Sequence, residues 1–475
     1  MPNKAFSIHG HFYQPPREDP LTGIIPQETG AAPYNNWNER ILDECYLPNA
    51  RLNNFSKISF NVGPTLFTWL QKQDPETYQQ ILDQDQINYK KHGVGNAIAQ
   101  AYNHTILPLA SSSDKIIQTL WGIADFKHRF GHDPNGMWLP ETAVDYEVLS
   151  VLARQGIEYT ILAPWQAEAD ALDTSEPYRV VLPGGDSIVV FFYNRELSTR
   201  VSFSPEATND AAWFATMELA PSFADRKGNQ SQDQFVLVAS DGELYGHHQP
   251  HREKFLSHLL NGSGLTSEIS STYPGLWLKS HPASRSIHIR EGTSWSCHHG
   301  VARWCGECAC TPQDGRWKGH LRKAMNQLAA ALDSLYFDFM YPLISKPRML
   351  RERYIHVMLG EARLDNLIAE VSGKNLTRDQ LQRVHLLLES QRERQRIFTS
   401  CAWFFEDFDR IEPKNVITYA SQAVRLARLA TGEDLEPQVI EDLKHVISPH
   451  TGLRADQIFS EQYARDWDFD KRSNL

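Results

Sequence analysis

The chain has 475 residues, with 47 Lys and Arg against 58 Asp and Glu, a formal net charge of −11 at pH 7, and 41% hydrophobic and 22% charged residues. These proportions exclude a disordered chain, which would lack apolar groups to bury. The acidic balance argues against a nucleic-acid-binding face, no apolar run reaches the ~20 residues that cross a bilayer, and six cysteines are too few for a disulfide framework in this length. No basic stretch followed by an apolar run opens the chain, so no signal peptide is read and a cytoplasmic location is expected.

In chain order, Ala5 to Phe12 reads as a strand ending in polar groups. Ile58 to Val62 is a second apolar run, followed at Gly63-Pro64 by a helical pattern through Leu66, Trp69 and Leu70. Asp74-Pro75-Glu76 starts a helix carrying Tyr78, Ile81 and Leu82, with proline well placed in its first turn. Gly136 to Pro140 is a short strand, and a helix runs from about Asp145 to Gln155. Tyr159 to Leu162 and Phe235 to Ala239 are of buried-strand type. Between them, two β-rich runs from Arg179 to Tyr193 flank Pro183-Gly184-Gly185-Asp186, a hairpin signal. Strands alternating with helices predict a mostly parallel sheet, and a barrel is favoured over an open sheet.

The pattern changes near Gly315. From Lys318 to about Leu443 it is helical throughout, with Leu321, Ala324, Met325, Leu328 and Leu332 at i, i+3/i+4 spacing. Thr377 reads as the N-cap of a helix through Leu381, Val384, Leu387 and Leu388. Pro347, Pro413 and Pro437 mark helix starts. The expected architecture is α/β, an incomplete barrel over residues 1–312, followed by an all-helical domain over residues 313–475 packed on it.

Catalytic groups of parallel barrels sit at strand C-termini. Four segments place polar residues just after an apolar run: His9-Gly10-His11-Phe12-Tyr13-Gln14, Tyr102-Asn103-His104, Trp138-Leu139-Pro140-Glu141, and Ser240-Asp241-Gly242-Glu243. His9 and His11 share one face of a strand, because side chains alternate with a period of two. Each segment alone has a bland reading: a carboxylate after a strand is commonly a helix cap or a surface group, and an aromatic is commonly core. Together they describe a pocket with carboxylates, neutral donors and aromatic walls, the equipment for cleaving a glycosidic bond.

The four segments resemble, in order, the motif regions of glycoside hydrolase family 57. His9 to Pro15 resembles the first region, Gly95 to Pro108 with His104 the second, Gly136 to Glu141 the third, and Ala239 to Gly246 the fourth. The segments Glu291 to Gly300 with Arg303-Trp304, and Thr399 to Asp407, resemble a branch of that family with a helical C-terminal extension and undefined specificity. The resemblance implies a barrel of seven (β/α) units and a retaining mechanism on α-1,4-glucans, of amylase, 4-α-glucanotransferase or branching type. It makes Glu141 the nucleophile and Asp241 the general acid/base, with their carboxyl groups about 5–5.5 Å apart. His9, His11, Gln14 and His104 become sugar-binding groups, and Trp138, Trp295 and Trp403 candidates for stacking, with core packing as the competing role. Glu243 is the rival acid, expected to orient a loop or pair with Arg195. The implied partner is an α-glucan or maltooligosaccharide; no cofactor is implied, and neither nucleic acid nor membrane.

Two other readings come from different classes. A metal-dependent carbohydrate hydrolase or deacetylase would use His9, His11, His104 and Asp241 as ligands. A non-catalytic glucan-binding protein would bind without turnover. Separately, Cys297, Cys305, Cys308 and Cys310 lie in one short segment. No metal is assigned to them, but one Cys-x2-Cys pair, Cys305 and Cys308, with neighbours is a metal-site signal; Cys297, Cys308 and Cys310 are the named candidates and His298 or His299 could complete a set, against the alternative of small buried thiols.

Overall fold

The computed structural model describes residues 3–223, 233–261, 265 and 268–473. Ten strands are present among them: β1 (Lys4–Phe12), β2 (Ser59–Val62), β3 (Ala99–Gln100), β4 (Met137–Trp138), β5 (Tyr159–Leu162), β6 (Tyr178–Val181), β7 (Ser187–Phe192), β8 (Gln234–Asp241), β9 (Ile269–Ser271) and β10 (Arg285–Ser286). The chain folds into two compact units. The first comprises Met1–Gln14, Gln27–Tyr102 and Phe126–Trp295; the second comprises Pro15–Pro26, Asn103–Asp125 and Ser296–Leu475. The units are therefore interleaved in sequence, and the last crossing falls at 295/296, ahead of the expected break after residue 312.

The first unit holds all ten strands, paired in parallel except for β6 against β7. β1 pairs in parallel with β8 along its length and with β2 at its end. Bridges Phe60↔Ala97 and Gly136↔Tyr159 connect β2 towards β3 and β4 towards β5, β3 pairs with β4, and β5 pairs with β7. The sheets do not close into one continuous ladder, as expected for an incomplete (β/α)7 barrel. The predicted hairpin is present as antiparallel β6 and β7. Its turn needs Gly184 and Gly185, whose φ values of 109° and 94° are closed to other residues.

The barrel interior is built by the inward period-two positions. Ala5, Phe235, Leu237 and Ala239 from β1 and β8 pack with Trp138, Tyr159, Ile161, Phe191 and Trp277 in one buried cluster. Helix starts follow the predicted chemistry. Asp74 caps Pro75–His92 by accepting from the Thr77 amide, and Asp145 caps Tyr146–Arg154 by accepting from the Val148 amide.

The second unit is helical, with long helices Arg316–Met340, Arg378–Arg396, Ile411–Thr431 and Ala455–Ser473. Thr377 and Gln380 form a reciprocal capping box at the start of Arg378–Arg396. Pro347, Pro413 and Pro437 all fall in first turns. No helix among the described residues is long and apolar enough to cross a membrane.

Candidate active site

Register assembles the site in the first unit. The β1–β8 pairing places His11 beside Asp241 and His9 beside Ala239. The β1–β2 pairing places His9 beside Ser59 and His11 beside Asn61, and β3–β4 places Gln100 beside Trp138. With a period of two, these residues share the inner face of neighbouring strands.

A relay of hydrogen bonds runs along that face. Asn61 Nδ2 donates to Gln100 Oε1 at 2.7 Å and lies 2.9 Å from His11 Nδ1, while its Oδ1 lies 3.1 Å from His9 Nε2. His9 Nδ1 is 2.9 Å from Ser59 Oγ. Burial lowers both histidines to pKa values of about 3, so both are neutral, with the neighbouring His11 adding to the effect on His9. His11 Nδ1 also lies 3.2 Å from Asn61 Oδ1, so this amide engages the ring with both of its ends. Both ring nitrogens of His9 are engaged within the protein and the side chain is fully buried, so His9 orients the layer and does not reach a ligand. His9 therefore does not offer the free ring nitrogen that the metal-dependent reading asks of it.

Trp138 is also fully buried, stacked under His9 and His11 at centroid distances of 4.8 and 5.0 Å. It is a packing platform for the two imidazoles, and the expectation that it stacks on sugar is corrected. Half-buried Trp295 abuts its edge and donates its indole N–H to Glu141 Oε2 at 3.0 Å.

Glu141 follows β4 in a left-handed conformation, φ 57°, and Thr142 is left-handed as well, φ 49°. Such residues cost of order 1–3 kcal/mol each and persist only where the surroundings hold them. Gln166, fully buried, is what holds them. Its Oε1 accepts from the Thr142 hydroxyl and the Ala163 amide, both at 2.8 Å, and its Nε2 donates to the Thr142 carbonyl oxygen at 2.8 Å. The Trp295 amide donates to the Glu141 carbonyl oxygen at 3.0 Å. Gln166 was missed in the sequence, although it follows β5 as the other polar groups follow their strands.

Asp241 ends β8 and is exposed, yet protein crowds its carboxyl closely. Desolvation, and then the charge of Glu141, push its pKa up to about 7. Gly242 follows because a Cβ there would sit 2.3 Å from the Phe12 ring. Glu243 differs from Asp241 in access. It is buried, and its Oε1 accepts from the Tyr46 hydroxyl at 2.7 Å and the Tyr13 amide at 3.0 Å. Burial raises its pKa to about 8 despite the Tyr46 bond, with Asp241 adding to the rise. Tyr46 in turn is hydrogen-bonded by Gln14, a buried residue that thus steadies the Glu243 loop. Arg195 is exposed, with its guanidinium 5.4 Å from the Trp165 ring, so the expected Glu243–Arg195 pair is corrected to Glu243–Tyr46.

His104 and Trp403 belong to the second unit. His104, at φ 55°, has Nδ1 2.6 Å from Ser400 Oγ. Trp403 is fully buried, donates to the Lys318 carbonyl oxygen at 3.1 Å and lies under the Arg322 guanidinium at 4.0 Å. It is a core residue, and the expectation that it stacks on substrate is corrected.

Residues 6–269 match the profile of glycosyl hydrolase family 57, and residues 314–463 match a domain of unknown function, DUF3536. An α-amylase of Pyrococcus horikoshii is 26% identical over 193 residues, 40% of this chain and 28% of that protein. A 4-alpha-glucanotransferase of Thermococcus litoralis is 26% identical over 208 residues, 43% of this chain and 28% of that protein. The match thus spans less than a third of either relative. Among solved structures, an exo-type maltose-forming amylase from Pyrococcus sp. ST04 superposes with a TM-score of 0.76 at 15% identity, covering 93% of this chain and 83% of that one. At that identity the likeness concerns the fold.

Proposed function

Since the chain belongs to glycosyl hydrolase family 57, we propose that it is a retaining glycosidase or transglycosidase acting on α-1,4-glucans. The observation that carries the reading is the pair at the ends of β4 and β8. Glu141 is held by the Trp295 indole, and Asp241 is an accessible acid whose pKa stands at about 7 in the field of Glu141. The relatives' own activities, α-amylase and 4-alpha-glucanotransferase, support the substrate class.

The chemistry follows from that asymmetry. The Glu141 carboxylate attacks the anomeric carbon while Asp241 gives its proton to the departing glycosidic oxygen. The Trp295 N–H fixes the attacking carboxylate, and the strained backbone held by Gln166 sets its direction. Formation of the glycosyl ester removes the charge of Glu141. That relieves one of the two causes that keep Asp241 protonated, so Asp241 ionises more readily and serves as base for the acceptor. Water as acceptor yields hydrolysis, and a glucan hydroxyl yields transfer or branching. His11, neutral and opposite Asp241 in the β1–β8 register, stands beside the acid.

The test is incubation with amylose and with short maltooligosaccharides, with products followed by chromatography and the new anomeric centre by NMR. The α-anomer formed first is the expected result. A β-anomer formed first, or binding without turnover under conditions where the protein is folded, would remove the proposal.

A further inference from the structure

The segment following Trp295 gathers three cysteines and a histidine in the second unit. Cys297 Sγ lies 3.5 Å from Cys308 Sγ and 3.8 Å from Cys310 Sγ. His299 Nδ1 lies 3.3 Å from Cys308 Sγ and 3.4 Å from Cys310 Sγ. All four ligand atoms fall within 4.8 Å of one another. A zinc tetrahedron with bonds of about 2.3 Å to sulfur and about 2.0 Å to nitrogen has sulfur–sulfur edges of about 3.8 Å and sulfur–nitrogen edges of about 3.5 Å. The four short distances stand within a few tenths of an ångström of those edges. In an iron–sulfur cluster the thiolates bind different irons and stand farther apart, so the spacing favours one ion.

A second observation concerns charge. Lys318 is fully buried, and its ammonium donates to the Thr311 hydroxyl at 2.8 Å. No described carboxylate forms an ion pair with it; Cys308, Glu406 and Cys297 are the acidic groups whose fields it feels, opposed by Arg303. A buried cation needs a counter-charge. Three thiolates and one imidazole around a divalent ion carry 2 − 3 = −1, which supplies one. A third observation is local order. The only regular element between Cys297 and Cys310 is the short turn Ala302–Trp304, yet Trp304 is fully buried.

We propose that Cys297, His299, Cys308 and Cys310 form a structural zinc site that staples this segment to the start of the helix Arg316–Met340. Four protein ligands leave no open position, so the site does no catalysis. Binding releases the three thiol protons and leaves the oxidation state of sulfur and metal unchanged. Cys305 stands outside it: exposed, with its Sγ turned to the Ala302 carbonyl oxygen at 3.5 Å. The ligand pattern is Cys-x-His-x8-Cys-x-Cys, and the Cys305/Cys308 spacing that resembles a common zinc pair is incidental.

The experiment is elemental analysis of the full chain purified without chelator, with Cys308→Ser, Cys310→Ser and Cys305→Ser beside it. About one zinc per chain is expected in the wild type and in Cys305→Ser, and loss in the other two. Should either of those fail to fold, the wild type answers alone. Stripped under reducing conditions, it should melt at lower temperature and recover with added zinc. Cobalt in its place should give the visible bands of tetrahedral thiolate ligation. A reduced wild type that takes up no zinc on titration, zinc retained in both Cys308→Ser and Cys310→Ser, or iron with labile sulfide would each overturn the proposal.

Discussion

The carboxylate site of the barrel and the Arg394 network of the helical unit both bury polar groups and neutralise them in opposite ways. In the barrel His9, His11 and Glu243 are buried, and no described cation forms an ion pair with Asp241 or Glu243. Their charge is removed by the proton: the histidines stay neutral, with pKa values of about 3, and the acids hold protons up to about 7 and 8. Around Arg394 in the helical unit buried charges are paired. Arg394 reaches Asp114 at 2.6 Å and Asp333 at 2.8 Å, and Arg351 reaches Asp333 at 2.8 Å. Burial alone would raise Asp114, but the charge and hydrogen bond of Arg394 outweigh it and hold its pKa below the usual range. A group neutralised by a proton can give that proton away; a group neutralised by a partner is fixed. The first arrangement suits chemistry and the second suits architecture.

Substitutions can break that contrast. Glu141→Gln and Asp241→Asn should each lower turnover by roughly 10³-fold or more, with circular dichroism and melting little changed; wild-type rates in either would remove the assignment. Arg394→Met, by leaving Asp114 and Asp333 without their shared cation, should cost about 3–5 kcal/mol in denaturant unfolding. A loss below 1 kcal/mol would mean the network is solvated and not structural.

The contrast sharpens with pH. The step that needs protonated Asp241 should slow as pH rises through about 7, visible as the alkaline limb of kcat/KM. Stability should move the same way. The folded pKa of Asp241 is raised above the unfolded value, so its favourable contribution is complete below the unfolded pKa, near 3.8, and is lost as pH rises through about 7. Asp241→Asn should therefore flatten the fall of stability across that window, and a slope equal to wild type would show that Asp241 titrates normally. Gln166→Ala should lower kcat about 10-fold by releasing the left-handed backbone at Glu141, and cost about 1–3 kcal/mol through unpaired groups. The smallest effect belongs to Thr377→Ala. Loss of its helix cap should cost about 1 kcal/mol and leave turnover unchanged.

The long buried strands were legible because β1 and β8 are continuous apolar runs ending in polar groups, and the hairpin because Gly184-Gly185 admits one kind of turn. β3 is two residues long and leaves no periodic trace, whereas the equally short β4 falls inside the strand read at Gly136 to Pro140. The interleaving of the units was not legible, since no local signal marks 15–26 or 103–125 as different from their neighbours. At the site, the β1–β8 register could be anticipated only in part. Period two puts His9 and His11 on one face, but nothing local shows that His9 is covered and that the cross-strand partner of His11 is Asp241. The tryptophans failed for the same reason: composition does not distinguish a ring beneath two imidazoles, as in Trp138, from one that faces a ligand. Asn61 and Gln166 carry no chemistry of their own and become visible only through what they hold.

The most direct test of the central claim is capture of the glycosyl-enzyme. Asp241→Asn treated with an activated maltosyl fluoride, which needs no acid to depart, should accumulate a maltosyl ester, and peptide mass spectrometry should place it on Glu141. An ester on another residue, or steady turnover of the fluoride with the anomeric configuration inverted and Glu141 unmodified, would contradict the account.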